Sequence, residues 1–304
     1  MDSPILCAIK CKFYNKTCNH FGFNADRSIC SLGYWKVPAN TTVRNEQIYS
    51  VGGNFCDTRA NVTLQPNGDL TPCDKYACAG HGTALVQHTD IETIPMYKSC
   101  KDITDKTSPR MLIRLLNGLV VMCDTDSDGG GWTIFQRRIT GALDFFRKWA
   151  EYRDGFGDYE LGEFYLGNEN IHCLTNVTRY DMRVDVKYNG QNNTFNFTDF
   201  SLANELNDYR FLSSSASPAM YQAHSNKKFS TYDFNSVPFY TFNIPNTYRT
   251  AWWFCETNCT DYYNLNLNGG WNKTAPYGVI ARSVSNTSSV VFTEMKIREV
   301  QTPN

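Results

Sequence analysis

Hydrophobic positions in this chain alternate more often than they recur at helical spacing. Met182-Arg-Val-Asp-Val-Lys-Tyr188 puts an apolar side chain at every second position, the period of a strand with one buried face. Asn189-Gly190 then turns the chain back, and Phe195-Asn-Phe-Thr-Asp-Phe200 resumes the alternation. Two apolar runs, at 112–116 and 119–122, flank Asn117-Gly118, a strong hairpin signal. Trp132-Thr-Ile-Phe135, Tyr209-Arg-Phe-Leu212 and residues 291–300 read as further strands. Helical signal is thin, mainly at 146–153, and residues 1–99 show no heptads, so no coiled-coil stalk is expected. The pattern predicts an α+β fold, built on a twisted antiparallel sheet with long loops.

Composition adds compartment and class. A length of 304 residues suggests about two domains. With 29 basic and 30 acidic residues the formal charge is −1, which gives no electrostatic case for nucleic acid or an anionic membrane. Twelve cysteines accompany Asn-x-Ser/Thr sequons at Asn15, Asn40, Asn61, Asn176, Asn192, Asn196, Asn258, Asn272 and Asn286. Together they read as a secreted, disulfide-bonded glycoprotein; a zinc protein would need Cys-x-x-Cys pairs, and none occurs. The longest apolar run, 111–123, is interrupted by Arg114 and Asn117 and is too short to span a bilayer. The start, MDSPILCAIKC, has neither a basic region nor a long apolar one, so it is not a signal peptide; the expectation is a mature or partial extracellular chain.

The most particular stretch runs from Cys123 to His172. Gly129-Gly-Gly131 permits a tight turn directly before Trp132, and glycines recur beside aromatic residues at Gly155, Gly157, Gly162 and Gly167. Its words are Asp128-Gly-Gly-Gly-Trp132-Thr, Gln136-Arg-Arg138, Trp149-x-x-Tyr152-x-x-Gly155-Phe-Gly157 and Gly162-Glu-Phe-Tyr-Leu-Gly-Asn168-Glu-x-Ile-His172. Phe229-Ser-Thr-Tyr-Asp233, Ala251-Trp-Trp-Phe254 and Glu294-Met-Lys-Ile-Arg298 follow in order. From Cys100 to about Val300 the chain resembles the fibrinogen C-terminal domain, the module of ficolins, tachylectins, tenascins, angiopoietins and fibrinogen chains. The resemblance implies a domain over 99–301 and a Cys100–Cys123 disulfide. It also implies a non-enzymatic recognition role on loops carried by the sheet: lectin-like binding of glycans or acetylated surface groups in innate immunity. The alternative is protein–protein adhesion, as a receptor ligand or matrix component; a fibrin-like polymerisation role lacks a matching knob.

Before this module, Cys7-x3-Cys11-x6-Cys18-x11-Cys30 brackets a helix-compatible Cys-x3-Cys pair, an aromatic strand from Cys18 to Phe23, a hairpin near Asn24-Ala-Asp26 and a strand at 28–32. This resembles a small disulfide-rich PAN/apple domain over 1–57 and implies Cys7–Cys30 and Cys11–Cys18 bonds; spacing alone leaves three connectivities open. Residues 58–98 read as a linker, with a turn at Pro66-Asn-Gly68 and a vestigial EGF-like segment around Cys73-x4-Cys78.

Several constellations carry candidate chemistry. Asp124-x-Asp126-x-Asp128-Gly129 copies half of an EF-hand loop, but Phe135 stands where the bidentate glutamate belongs, so the glycine turn explains it better. Family members bind calcium through an Asp-x-Asp pair; here the matching residues are Asp233 and Asn235, and losing one carboxylate weakens the site, leaving calcium possible. Cys255 and Cys259 read as a local disulfide, while Cys56, Cys73, Cys78 and Cys173 have no assigned partner. The family's acetyl-binding pocket maps here to Tyr248, Asn258, Cys259, Thr260 and Trp271, with Asn258-Cys259 matching a cis bond. Thr260 and Ser288 replace a histidine and a tyrosine usual in the family, so the expectation is a ligand other than a bare acetyl group. No nucleophile–base set accompanies His20, His81, His88, His172 or His224, and His172 reads as a structural hydrogen-bonding residue; the chain is not expected to be an enzyme. Ligand identity and oligomeric state are not written in the sequence.

Overall fold

The computed structural model describes residues 91–216, 225–236, 243–254, 265–285 and 287–300, Leu85, and seven short strands within the first 78 residues. The chain divides into two compact units, 1–78 and 79–304. In the first, β1 (His20–Asn24) and β2 (Ile29–Gly33) pair antiparallel around the turn read at Asn24-Ala-Asp26. With β3 (Thr41–Val43) and β4 (Glu46–Ser50) they form a sheet of order β2-β1-β4-β3. β5 (Phe55–Asp57), β6 (Val62–Leu64) and β7 (Leu70–Pro72) form a second sheet. The polar stretch read as linker therefore carries a paired hairpin, its two strands flanking Pro66-Asn67-Gly68.

The second unit is organised by one large, mostly antiparallel sheet. Its strands are β8 (Met96–Tyr97), β9 (Arg110–Leu115), β10 (Val120–Asp124), β11 (Trp132–Arg138), β12 (Phe156–Asp158), β13 (Glu163–Tyr165), β14 (Tyr180–Tyr188), β15 (Gln191–Leu202), β16 (Phe211–Leu212), β17 (Ser215–Ala216) and β22 (Phe292–Glu299). The order is β16-β15-β14-β22-β11-β10-β9-β8, with β13 also on β11 and β17 on β15. Only β8 pairs parallel, to β9. The expected hairpins form: Val120 lies opposite Arg114 across Asn117-Gly118, and Tyr188 opposite Gln191 across Asn189-Gly190. Cys100 and Cys123 are bonded, with Cα atoms 5.5 Å apart. Cys173, for which the sequence offers no obvious partner, is also disulfide-bonded.

Three differences from the alternation reading have physical causes. The expected strand at 209–212 shrinks to Phe211–Leu212, because Asp208 and Tyr209 adopt positive φ and break the extended run. The expected helix begins at Trp149, not Phe146, as α1 (Trp149–Asp154), and Gly155 ends it at φ 97°. Periodicity gave no sign of α2 (Asn168–Thr175), whose residues are nearly all buried and so lack an apolar stripe. Most of its polar groups find partners, the Asn168 Nδ2 being the exception. Tyr165 donates to Asn168, Tyr209 to Glu169, the Asn170 amide to the Leu166 carbonyl, and His172 Nδ1 to the Leu202 carbonyl at 2.7 Å. Shorter elements complete the unit: β18 (Phe229–Ser230), α3 (Ile244–Tyr248), β19 (Trp252–Trp253), β20 (Leu265–Asn266) and β21 (Ile280–Ala281). Among the described residues no helix is long and apolar enough to cross a membrane.

β22 sits between β14 and β11, and its alternating sequence divides two environments. Met295 and Ile297 are fully buried in the apolar core with Val184, Ile134 and Phe135. Glu294 and Lys296, the intervening positions, are equally inaccessible. Lys296 bonds Asp124, lies 2.7 Å from Asp185 and 2.9 Å from Glu294. Arg110 reaches Glu294 at 2.7 Å and Asp124 at 2.9 Å, and Arg137 adds a third cation at Glu294. Asp124 also accepts the backbone N–H groups of Asp126 and Ser127, while Asp128 pairs with Arg298. Two of the three carboxylates that mimic an EF-hand, Asp124 and Asp128, are thus committed to cations and backbone.

Burial alone would raise the Asp124 pKa, but the Lys296 and Ser127 hydrogen bonds outweigh it and hold the carboxyl well below the usual range. A depressed carboxylate contributes stability that is present above its unfolded pKa, about 3.9, and is lost as pH falls below it. Thermal melts should therefore show the midpoint dropping steeply between about pH 4 and pH 2. Asp124→Asn should cost about 3–5 kcal/mol at neutral pH and flatten that acid limb; an unchanged limb would refute the assignment.

Candidate ligand-binding site

β11 delivers Arg138 to one end of the sheet, and the chain then enters the loop 139–144. That loop is organised by one buried carboxylate. Glu163, on β13, accepts the N–H groups of Ile139, Thr140 and Gly141 on Oε1 at 2.7, 2.8 and 2.7 Å, and of Leu143 on Oε2 at 2.9 Å. Burial opposes its ionisation, but these four donors prevail and lower its pKa. Gly141, at φ 77°, lies against the ring of Trp271; a Cβ there would come within 2.0 Å of Trp271 Cγ. Trp271 follows the loop 266–270, which Arg138 holds by donating Nη1 to the carbonyls of Leu267 at 3.2 Å and Gly269 at 2.6 Å.

These two loops bound a cleft of about 240 Å³ lined by Arg138, Asp144, Phe146, Arg249, Gly270 and Trp271, among others. Arg138 is buried, with its guanidinium 4.1 Å from the Phe145 ring centre and 5.5 Å from that of Trp271. Burial pushes its pKa down to about 10. Arg249, left-handed at the end of α3, is exposed and stacks 4.3 Å above Phe146. A larger cleft of about 420 Å³, lined by Lys101, Lys106, Gly129–Gly131 and Arg298, lies elsewhere in the unit. There Lys101 donates to the Glu299 carbonyl, Lys106 to that of Gly129, and Arg298 pairs with Asp128. The cleft beside Trp271 is the better ligand candidate because two aromatic rings, Phe146 and Trp271, stand beside its cations.

Of the residues singled out from sequence, Trp271 lines this cleft and Tyr248 does not. Tyr248 is half-buried and meets Tyr277 edge-on, with ring centres 5.9 Å apart. Asp233 Oδ1 accepts the Trp149 N–H at 2.9 Å and the Thr231 hydroxyl at 2.7 Å, so it caps α1; Asn235 shares its turn. Asn258, Cys259, Thr260, Cys255, Asn286, and the cysteines and sequons of the first unit fall outside the described side chains. Asn176, Asn192, Asn196 and Asn272 are exposed, as glycan acceptors must be. Sequence reasoning missed Arg138, Phe146, Arg249 and Tyr277. Arg249 directly follows Tyr248, but its relevance depends on the left-handed end of α3, which sequence motif alone does not announce.

The chain matches the model of the fibrinogen beta and gamma chains, C-terminal globular domain, over residues 96–300, and it belongs to that family. Human tenascin-R is 39% identical over 186 residues, covering 59% of this chain and 13% of tenascin-R. Human ficolin-3 is 39% identical over 157 residues, covering 50% of each chain. The chain thus spans half or less of the length of these relatives. Among solved structures, the fibrinogen-like globe domain of human ANGPTL6 superposes with a TM-score of 0.61 at 26% identity, over 71% of this chain and 100% of that one.

Gly141→Ala tests the seating of Trp271. Positive φ and the 2.0 Å approach should together cost about 1–3 kcal/mol and expose the indole, read as a red-shifted tryptophan emission. A variant with unaltered stability and emission would show that Trp271 is not held by this loop.

Proposed function

We propose that this chain is an extracellular, non-enzymatic recognition protein, and that its fibrinogen-like domain binds glycans or acetylated surface groups in a lectin-like way. The observation that carries this reading is the set of aromatic rings on rigidly backed loops at one end of the sheet. Trp271 is seated on Gly141, and Tyr248 leans on Tyr277, which is 47% exposed. Such rings offer flat apolar surface to a sugar face or methyl group, while loop backbone supplies polar contacts. Asn258, Cys259 and Thr260 complete the proposed pocket. Asp233 and Asn235 are the proposed side-chain ligands of a weak calcium site; Asp233 Oδ1 already takes two hydrogen bonds, which supports weak binding. A Cys255–Cys259 bond, an apple-like domain over 1–57 with Cys7–Cys30 and Cys11–Cys18 bonds, and an EGF-like remnant before residue 99 complete the proposed organisation. Twelve cysteines, the Cys100–Cys123 bond and the sequons support the extracellular setting.

One feature favours the second reading, protein–protein adhesion. Phe234 is 42% exposed, and its ring stacks 4.2 Å from that of Trp149. An exposed aromatic anchored on another ring is the kind of residue that fills a pocket on a protein partner. A glycan array with the full chain separates the two. The expected result is binding to acetylated or extended glycans that Trp271→Ala removes and free N-acetylglucosamine competes only weakly. A silent array, with capture of a cell-surface or matrix protein abolished by Phe234→Ala, would overturn the glycan reading.

A further inference from the structure

Arg138 presents an unbalanced charge. It is 1% exposed, yet among the described residues it makes no ion pair, and its Nε is buried without a hydrogen-bond partner. Its Nη1 donates only to backbone carbonyls. Two carboxylates lie close enough to favour its charge, Glu163 and Asp144. Glu163 spends both oxygens on backbone N–H groups, and Asp144, exposed at the cleft, accepts the Phe146 N–H. A buried cation ordinarily takes a carboxylate partner, because removing it from water unpaired is costly.

The second cation of the cleft is also unpaired. Arg249 makes no ion pair among the described residues, where it contacts the Phe146 face. Two guanidiniums and one carboxylate therefore line a cleft that Leu143, Phe146 and Trp271 share with the Asn268 side chain and the Gly269–Gly270 backbone. Like charges gathered in one cleft add their fields on whatever enters. At about 240 Å³ the space falls below the usual range for drug-sized ligands, which favours a single ring.

We propose that this cleft is a subsite for a carboxylate-bearing sugar of the uronic-acid class, its carboxylate meeting the Arg249 guanidinium and the apolar side of its ring lying against Trp271. Arg138 supplies positive field from beneath the cleft floor, and Arg249, exposed and planar, makes the direct fork-to-carboxylate contact. This assignment rests on the glycan reading and narrows it to an acidic saccharide. Phe146 holds Arg249 in place by stacking, so less side-chain freedom is lost when the ligand binds.

The test uses the full chain and three probes: methyl glucuronide, methyl glucoside and inorganic sulfate, titrated at low salt and followed by protein NMR shifts. Methyl glucuronide should bind about tenfold or more tightly than the neutral glucoside, as a charge-assisted contact requires, and should weaken as salt is added. Arg249→Glu should abolish the preference, and Arg249→Lys should keep part of it; both lie on the surface, and melting curves check that they fold. Equal binding of glucuronide and glucoside, or a preference that survives Arg249→Glu, overturns the proposal. Sulfate binding as tightly as the glucuronide also overturns it, leaving a simple anion site. On the glycan array, the unaltered chain should also bind neutral acetylated glycans. If those bind but the glucuronide does not, the subsite alone falls. If the array is silent and the glucuronide does not bind either, the broader glycan reading falls with it.

Discussion

Lys296 lies at the junction on which this fold depends. It sits on β22, between β14 and β11, and its ammonium gathers Asp124 from β10, Asp185 from β14 and Glu294 from its own strand. Arg110 and Arg137 then tie β9 and β11 to the same Glu294. Five strands are thereby fixed in register by one group of charges, on the face opposite Met295 and Ile297. A one-residue slip of β22 would carry Lys296 into the apolar core and Met295 among the carboxylates. An apolar second face would not discriminate register so sharply. The network serves specificity of pairing as much as stability.

The same logic of buried charge carries the scaffold out to the loops. Glu163 has no cation partner within its own loop; its counter-charge is four converging backbone N–H groups, a nest that fixes residues 139–143. On that fixed backbone Gly141 makes room for Trp271, and Arg138 secures the opposite loop through the Leu267 and Gly269 carbonyls. One carboxylate and one guanidinium thus set the two walls of the cleft before any ligand arrives. A site prearranged in this way loses little conformational freedom on binding.

How much of this the sequence disclosed depends on the kind of interaction. Strand pairs closed by Asn-Gly turns were legible because both the turn and the alternation are local signals. The family words located Cys100–Cys123, Trp252-Trp253 and the Asn168–His172 segment, but not what the last of these does. As α2 it is buried on nearly all sides, and periodicity cannot reveal a helix without a solvent face. Asp124, Asp126 and Asp128 looked like half of a cation site because spacing conveys no partner. The answer lay 170 residues away, in Lys296 and Arg298. Trp271 was found from its place after a loop; Arg249 and Arg138 were not, since their lack of counterions is a property of the folded arrangement.

Asp233, proposed above as a calcium ligand, already serves the scaffold. Its Oδ1 accepts the first N–H of α1 and the Thr231 hydroxyl, so one oxygen already completes a helix start. With Asn235 in place of a second carboxylate, the turn 231–236 offers a hard cation less negative charge than an Asp-x-Asp pair would. The cap still holds α1 and thereby Trp149, whose ring meets Tyr209, Phe229 and Phe234. The turn is consequently anchored by hydrogen bonds and ring packing that require no metal. The neighbouring loops are thus supported whether or not this turn holds an ion, which is the physical condition for a binding face to change its ligand while the sheet beneath it stays the same.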